Sequence, residues 1–155
     1  MNKRDLLQNL IAVVIVIGLF PMAALSETGE TAELESITVY KSPTCGCCSK
    51  WVRHLQDNGF EVEAINRSDM SDVKSEAGVP RQLASCHTAV IGGYVIEGHV
   101  PATDIKRLLE ERPDVAGLTV PGMPMGSPGM EGHRKDKYEV LTFTRSGDTT
   151  TFSRY

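Results

Sequence analysis

Three of the four cysteines in this chain fall within four residues, Cys45-Gly46-Cys47-Cys48, and no other feature constrains the fold as strongly. The cluster follows the strand-like run 37–40 and opens a segment with helical periodicity at 49–58. We therefore expect it at a helix N-terminus, where free N–H groups and the positive end of the helix dipole favour thiolate over thiol. Thiolates are nucleophiles as well as soft metal ligands.

The spacing of these cysteines leaves two chemistries open. Cys45 and Cys48 have the spacing of a redox-active Cys-x-x-Cys pair, whereas Cys47 adds a third sulfur that a dithiol mechanism does not need. A framework of two disulfides is disfavoured, because only Cys86 lies outside the cluster and the other bridge would close a strained local ring. The extra sulfur favours a metal site.

The first 26 residues predict a secretory signal peptide. Lys3 and Arg4 precede an apolar run at 10–20, and small residues follow up to Ser26, after which we expect cleavage. The apolar run is shorter than the ~20 residues needed to span a bilayer, so no membrane contact is expected after cleavage. Residues 27–35 predict a flexible acidic lead-in, and the formal net charge of −4 argues against a nucleic-acid partner.

Residues 36–155 predict one α/β domain in which the cysteine cluster lies between the first strand and the first helix. The order strand-helix-strand-helix-strand-strand-helix is that of the thioredoxin fold, and a C-terminal β-hairpin is expected to extend its sheet. The later elements are predicted at 60–66 (strand), 68–77 (helix), 87–91 and 94–100 (strands), 102–111 (helix), and 138–143 and 149–155 (the hairpin).

This fold assignment predicts that distant residues meet at the cysteine cluster. In a thioredoxin-like fold the loop before the third strand packs beside the cysteine-led helix, and here that loop carries Cys86 and His87. Between 113 and 136 lies a Pro/Gly-rich stretch, predicted to be a loop, that holds three methionines within eight residues. Thioethers without a helical or strand period, beside a thiolate cluster, point to ligands for Cu(I).

Four motifs together resemble one family, the CopG-type periplasmic copper-resistance proteins. They are Cys45-Gly46-Cys47-Cys48 after Tyr40-Lys41-Ser42-Pro43, Ser85-Cys86-His87-Thr88-Ala89, Ile96-Glu97-Gly98-His99-Val100-Pro101-Ala102, and 121–131 with its Met123 and Met130. The resemblance runs from about Ile37 to the C-terminus. It implies a thioredoxin-like fold, export to the periplasm, and copper held at the cysteine-rich turn, with a thiolate-bridged cluster and redox activity left open.

Carried onto this chain, the resemblance implies a set of metal ligands. The principal ones are Cys45, Cys47, Cys48 and Cys86, and the weaker candidates are His87, His99, Met123 and Met130. His54 and His133 are expected to be surface residues. The implied partners are copper ions and, more remotely, copper chaperones or efflux components.

Three alternatives remain open at this stage. Zn²⁺ also accepts four thiolates, but the usual zinc frame has two Cys-x-x-Cys knuckles and this chain has one. A periplasmic thiol-disulfide oxidoreductase would use Cys45 to attack and Cys48 to resolve, without metal. In the third alternative copper itself is the redox centre and cycles between Cu(I) and Cu(II), and ligand types do not decide this, because they indicate affinity better than reduction potential.

Overall fold

The computed structural model of this chain describes residues 36–155, and the predicted signal peptide and lead-in lie outside them. Its elements are β1 (Ile37–Lys41), α1 (Gly46–Asp57), β2 (Val62–Asn66), α2 (Met70–Glu76), a 3₁₀ turn (Arg81–Leu83), β3 (His87–Ile91), β4 (Tyr94–Gly98), α3 (Ala102–Glu111), β5 (Gly117–Val120), β6 (Glu139–Phe143) and β7 (Thr149–Arg154). None of the helices in this range is long and apolar enough to cross a membrane.

All seven strands form a single mixed sheet in the order β2-β1-β3-β4-β5-β6-β7. β1 pairs parallel with β2 and antiparallel with β3, and β3 pairs antiparallel with β4. These four strands and the three helices have the thioredoxin-like arrangement, which confirms the predicted fold class. The C-terminal hairpin β6-β7 extends the sheet, also as predicted.

The helices lie on opposite faces of the sheet. Trp51 of α1 and Ile105 of α3 are fully buried in the main core, where they join Ala89 and Ile96. Because side chains alternate along a strand, the neighbouring residues Thr88 and Glu97 point to the other face, where α2 lies. The site residues on β3 and β4 therefore lie between α1 and α3 on one face of the sheet and α2 on the other.

One strand was not predicted. The stretch 113–136 was expected to be a loop throughout, but Gly117–Val120 forms β5, which pairs parallel with β4 and antiparallel with β6. Its four residues are all buried. The segment is too short to show a periodicity of its own, and its pairing with strands on both sides stabilises it. The Pro/Gly/Met-rich loop is thus shorter than predicted, and β5 fixes its start.

The first helix also differs from its prediction. It begins at Gly46, three residues earlier than the predicted 49–58, so that Cys47 and Cys48 belong to the helix. Cys45 is the N-cap, and its Sγ accepts the Cys48 N–H at 3.3 Å. The cysteine cluster was predicted at the helix N-terminus, which the structure confirms; only the exact first residue was not predicted, because a thiol replaces the usual Ser, Thr or Asp cap. Other predicted boundaries shift by about two residues at element ends, which is ordinary fraying.

Candidate metal centre

The segment Cys45–Cys48, called here the cysteine turn, forms the exposed half of the site. Cys48 is fully buried, whereas Cys45 and Cys47 are partly exposed. Cys45 and Cys48 are joined by a disulfide, and Cys47 is a free thiol whose Sγ lies 3.5 Å from Cys45 Sγ. The turn therefore holds three sulfurs in contact, two of them in an oxidised pair.

A second group, called here the histidine side, consists of Cys86, His87 and His99. Cys86 Sγ lies 3.0 Å from His99 Nε2 and 3.3 Å from His87 Nδ1. One ligand atom from each of these residues lies within 4.8 Å of the others, and the four cysteine sulfurs satisfy the same limit. Cys86 thus belongs to both groups and links them, in the position that the thioredoxin-like topology predicted for the fourth cysteine.

His99 is oriented by the loop that follows β5. Its Nδ1 lies 2.7 Å from the carbonyl oxygen of Pro128. Since a carbonyl only accepts, Nδ1 carries the proton and Nε2 presents its lone pair towards Cys86. Burial lowers the pKa of His99, which keeps the ring neutral near pH 7. A neutral imidazole whose other nitrogen donates to a carbonyl is the usual form of a metal-binding histidine.

His87 is fully buried at the start of β3. Its ring stacks at a tilt on Trp51, with 4.2 Å between the centroids, and its Nε2 has no hydrogen-bond partner among the described residues. Burial, with smaller contributions from His99 and Lys74, lowers the pKa of His87 well below its usual value. The ring is therefore neutral, and Nδ1 is the nitrogen that faces Cys86.

Cys86 is protonated when no cation is bound. Burial, followed by the proximity of Cys47, raises the pKa of its thiol to about 12. A soft cation bound at this sulfur would displace the proton, because a metal takes the thiolate. Binding of a metal at Cys86 would therefore release a proton.

The two methionine candidates lie in different environments. Met123 is 52% exposed, so its thioether faces solvent. Met130 is partly buried and follows Gly129, whose backbone packs so closely on the cysteine turn that a Cβ there would lie 2.7 Å from the Cys47 carbonyl oxygen and 3.3 Å from His99 Nδ1. The segment 121–138 between β5 and β6, called here the methionine loop, thus contacts both halves of the site through its backbone.

Some residues around the site were missed or misjudged from sequence. Glu97 is fully buried and ion-paired with Lys74 at 2.6 Å, and the signal for it was a single charge within the apolar run of β4. His54, expected to be a solvated surface residue, is half-buried, and its Nε2 accepts the Ala102 N–H at 3.1 Å. His133 is exposed, as expected.

Comparisons with known proteins place this site in a family. The family described as "Protein of unknown function, DUF411" matches residues 83–130, which include Cys86 and His99. Two solved structures, titled copper resistance protein copG Form 2 and Form 1, match with 52% sequence identity and a TM-score of 0.75, covering 79% of this chain and 99% and 98% of those chains.

A weaker similarity links the chain to riboflavin synthases from Mycobacterium bovis and Mycobacterium tuberculosis, at 24% identity over 128 residues. It covers 68% of this chain, which spans 64% of the length of those enzymes. That identity is too low to show a family. The copG match is more than twice as identical and covers nearly the whole of the matched chains, and it confirms the resemblance that the four motifs predicted. This chain therefore belongs to the CopG family of copper resistance proteins.

Proposed function

We propose that this protein is an exported copper-binding protein of copper tolerance that holds Cu(I) at Cys45, Cys47, Cys48 and Cys86. The observation that carries the proposal is that all four cysteine sulfurs lie within 4.8 Å of one another. Membership of a copper-resistance family and a cysteine cluster of this size support a copper-related function. Soft thiolates select Cu(I) over hard cations.

Copper loading requires reduction of the cysteine turn. The Cys45–Cys48 disulfide must take up two electrons, from a thiol reductant or an equivalent donor, before both sulfurs become thiolate ligands. With two protons from the solvent this reduction gives two thiols, and each cysteine thiol then releases its proton as it becomes a metal-bound thiolate. The reduced chain is therefore the copper-binding form.

The crowding of the sulfurs favours more than one copper ion. Cys47 and Cys48 are adjacent in sequence, and a thiolate can bridge two metal ions, so a thiolate-bridged Cu(I) cluster fits the cysteine turn. His99 and His87 offer neutral imidazole nitrogens beside Cys86. Met123 and Met130 are proposed as weaker thioether ligands, and chaperones or efflux components as partners for copper transfer.

The first test is an anaerobic Cu(I) titration of the reduced chain against a competing chelator, with bound copper counted per chain. We expect at least two copper ions per chain and protection of the cysteines from alkylation. A single copper ion per chain would remove the cluster from the proposal, and binding no tighter than that of a chain without cysteines would reject the copper function. Parallel titration with Zn²⁺ tests the choice of metal.

The variant C47S sharpens this test. It removes the sulfur of Cys47, which takes no part in the Cys45–Cys48 disulfide. We expect the variant to lose at least about tenfold in Cu(I) affinity, or about 1.4 kcal/mol. The variant S75A, at an exposed position of α2 away from the sulfurs, is the control and should bind as the wild type does.

A second candidate function is thiol-disulfide exchange, and the Cys45–Cys48 disulfide favours it. Cys45 is partly exposed and lies at the helix N-cap, while Cys48 is buried behind it, which matches attacking and resolving roles. This candidate predicts that the metal-free chain reduces disulfides in other molecules. The variant C47S should keep that activity. Loss of that activity in C47S, or its absence from the wild type, would reject it.

A further inference from the structure

A buried ion pair lies behind Cys86, on the α2 face of the sheet. The Glu97 carboxylate accepts from Lys74 Nζ at 2.6 Å and from the Thr88 hydroxyl at 2.7 Å, and Lys74 Nζ also lies 3.0 Å from Thr88 Oγ1. The Glu97 side chain is fully buried, and that of Lys74 is 14% exposed. Replacing such a pair with apolar residues is often neutral for stability, so stability alone explains its presence poorly.

The same carboxylate holds the backbone next to Cys86. The Ser85 N–H donates to Glu97 Oε1 at 2.6 Å, and the Ser85 hydroxyl donates to the carbonyl oxygen of Gly122. Gly98 provides the space for this approach, because it has φ +74° and a Cβ there would lie 2.5 Å from Ser85 Oγ. The residue before Cys86 is therefore held by β4 on one side and by the start of the methionine loop on the other.

The position of Cys86 matters because its sulfur links the cysteine turn to the histidine side. Cys86 lies between the 3₁₀ turn and β3, so no regular ladder of helix or strand hydrogen bonds includes it. Its Sγ is nevertheless 3.0 Å from His99 Nε2 and within 4.8 Å of the other three sulfurs. A hydrogen bond on the preceding residue is a direct means of keeping it there.

We infer that Glu97 is a positioning residue for the metal centre, which holds Cys86 in place by accepting the Ser85 N–H. The carboxylate itself is saturated by Lys74, Thr88 and Ser85, so it is not a metal ligand. This inference rests on the proposed copper function. It adds to that proposal a residue, Glu97, that does not contact the metal and acts on the site through Cys86.

The test compares two changes at Glu97. The double variant K74M/E97L removes both charges at similar volume and leaves the Ser85 N–H without its acceptor. The variant E97Q keeps an oxygen that can accept the same N–H. We expect K74M/E97L to lose about 10- to 100-fold in Cu(I) affinity, as measured for other outer-shell groups, and E97Q to lose much less.

The same changes in a C86S background separate positioning from general destabilisation. If Glu97 acts through Cys86, K74M/E97L causes no further loss of Cu(I) affinity once Cys86 is absent. An equal loss in both backgrounds, or wild-type affinity in a folded K74M/E97L chain, would overturn the inference. Circular dichroism and Trp51 fluorescence establish whether each variant is folded.

A metal-free readout keeps this inference distinct from the copper proposal. In the reduced chain, K74M/E97L should raise the alkylation rate of Cys86 severalfold while that of Cys47 stays the same. If the wild type binds no Cu(I), the copper function fails and this rate still decides the inference, since an unchanged rate rejects it.

A second pair of variants serves if K74M/E97L does not fold. S85P deletes the N–H that Glu97 accepts and leaves the Lys74–Glu97 pair intact, and the extended Ala84 backbone, with φ −64° and ψ 141°, suits a residue before proline. S85A removes only the hydroxyl and is the matched control. We expect S85P to release Cys86 to alkylation and to weaken Cu(I) binding more than S85A does, and equal effects would reject the inference.

Discussion

The cysteine turn and the histidine side are built in different ways. The turn is one continuous segment at a helix start, with two partly exposed sulfurs and a disulfide that links residues three apart. The histidine side comes from the ends of two strands, and both of its imidazoles are fully buried. The turn can therefore change its covalent state at the surface, whereas a change on the histidine side disturbs the core.

The largest expected effect tests that contrast through stability. Trp51 packs on His87, and its Nε1 donates to the Val100 carbonyl at 2.8 Å in the middle of the core. We expect W51A to lower the free energy of unfolding by about 3–5 kcal/mol. Urea denaturation of the reduced chain, followed by circular dichroism, measures it. On the cysteine turn, C47S should change stability by less than about 0.5 kcal/mol. Similar losses in both variants would contradict the contrast.

The second prediction concerns oxidation of the cysteine turn. Keeping Cys45 and Cys48 as a disulfide removes two of the four thiolates, so we expect Cu(I) affinity to fall by at least about 100-fold, or about 2.7 kcal/mol. Chelator competition on oxidised and reduced chain measures this. The double variant C45S/C48S should bind equally in both conditions. An oxidised chain that binds as tightly as the reduced one would assign copper to the histidine side.

The third prediction concerns the contact that joins the two halves. Gly129 has φ +88°, and a Cβ there would meet the Cys47 carbonyl oxygen at 2.7 Å. Gly59 has the same φ of +88° but no atom within 4 Å of its Cβ position, which makes it a matched control. We expect G59A to lose roughly 1 kcal/mol of stability from backbone strain and G129A roughly 2–3 kcal/mol.

The same two variants should also differ in Cu(I) affinity. We expect G129A to bind Cu(I) more weakly than G59A, since only G129A displaces the loop that packs against Cys47 and His99. Thermal denaturation and Cu(I) titration measure the two effects. Equal stability losses in G129A and G59A would show that the loop yields freely, and the two halves would then be less tightly joined than the structure indicates.

The smallest expected effect is a pH dependence remote from the sulfurs. His54 accepts the first N–H of α3, and burial lowers its pKa, although Glu131 and Asp57 oppose the shift. A base with a lowered folded-state pKa contributes stability above its unfolded pKa of about 6.5, and this is lost as the pH falls towards the folded value.

Loss of a helix cap costs about 1 kcal/mol, so we expect a modest fall in Tm between about pH 7 and pH 5. H54Q keeps an acceptor but does not titrate, and it should show a smaller fall over the same range. Identical pH profiles for wild type and H54Q would exclude His54 as the cause.

Much of the fold followed from local patterns. The helix at 102–111 was predicted with its observed bounds, because Pro101 opens it and Arg112-Pro113 ends it. The hairpin about Gly92-Gly93 was predicted from its turn residues. β5 was missed, since four residues carry no period and its stability comes from β4 and β6 on either side. The start of α1 at the cysteine cluster was predicted, but its first residue, Gly46, was not, because a cysteine sulfur is an unusual cap.

Parts of the site were likewise predictable from local patterns, and other parts were not. The cysteine turn was readable as one motif, and the topology predicted that Cys86 would join it. The tautomer of His99 depends on the Pro128 carbonyl, 29 residues away, and the placement of Ser85 depends on the Glu97 carboxylate. Such contacts leave no local pattern, because each partner reads as an ordinary loop or strand residue.

Local sequence patterns were enough to predict soft sulfur side chains at a helix start, a thioredoxin-like order of elements, and the motifs of a copper-resistance family. Contacts between distant segments set which nitrogen of each histidine faces Cys86, which pair of sulfurs forms the disulfide, and which buried charge holds the fourth cysteine. The two sets of features depend on interactions of different reach along the chain. Side-chain type and spacing act within a few residues, whereas ligand geometry depends on hydrogen bonds and packing between segments that meet only in the folded chain.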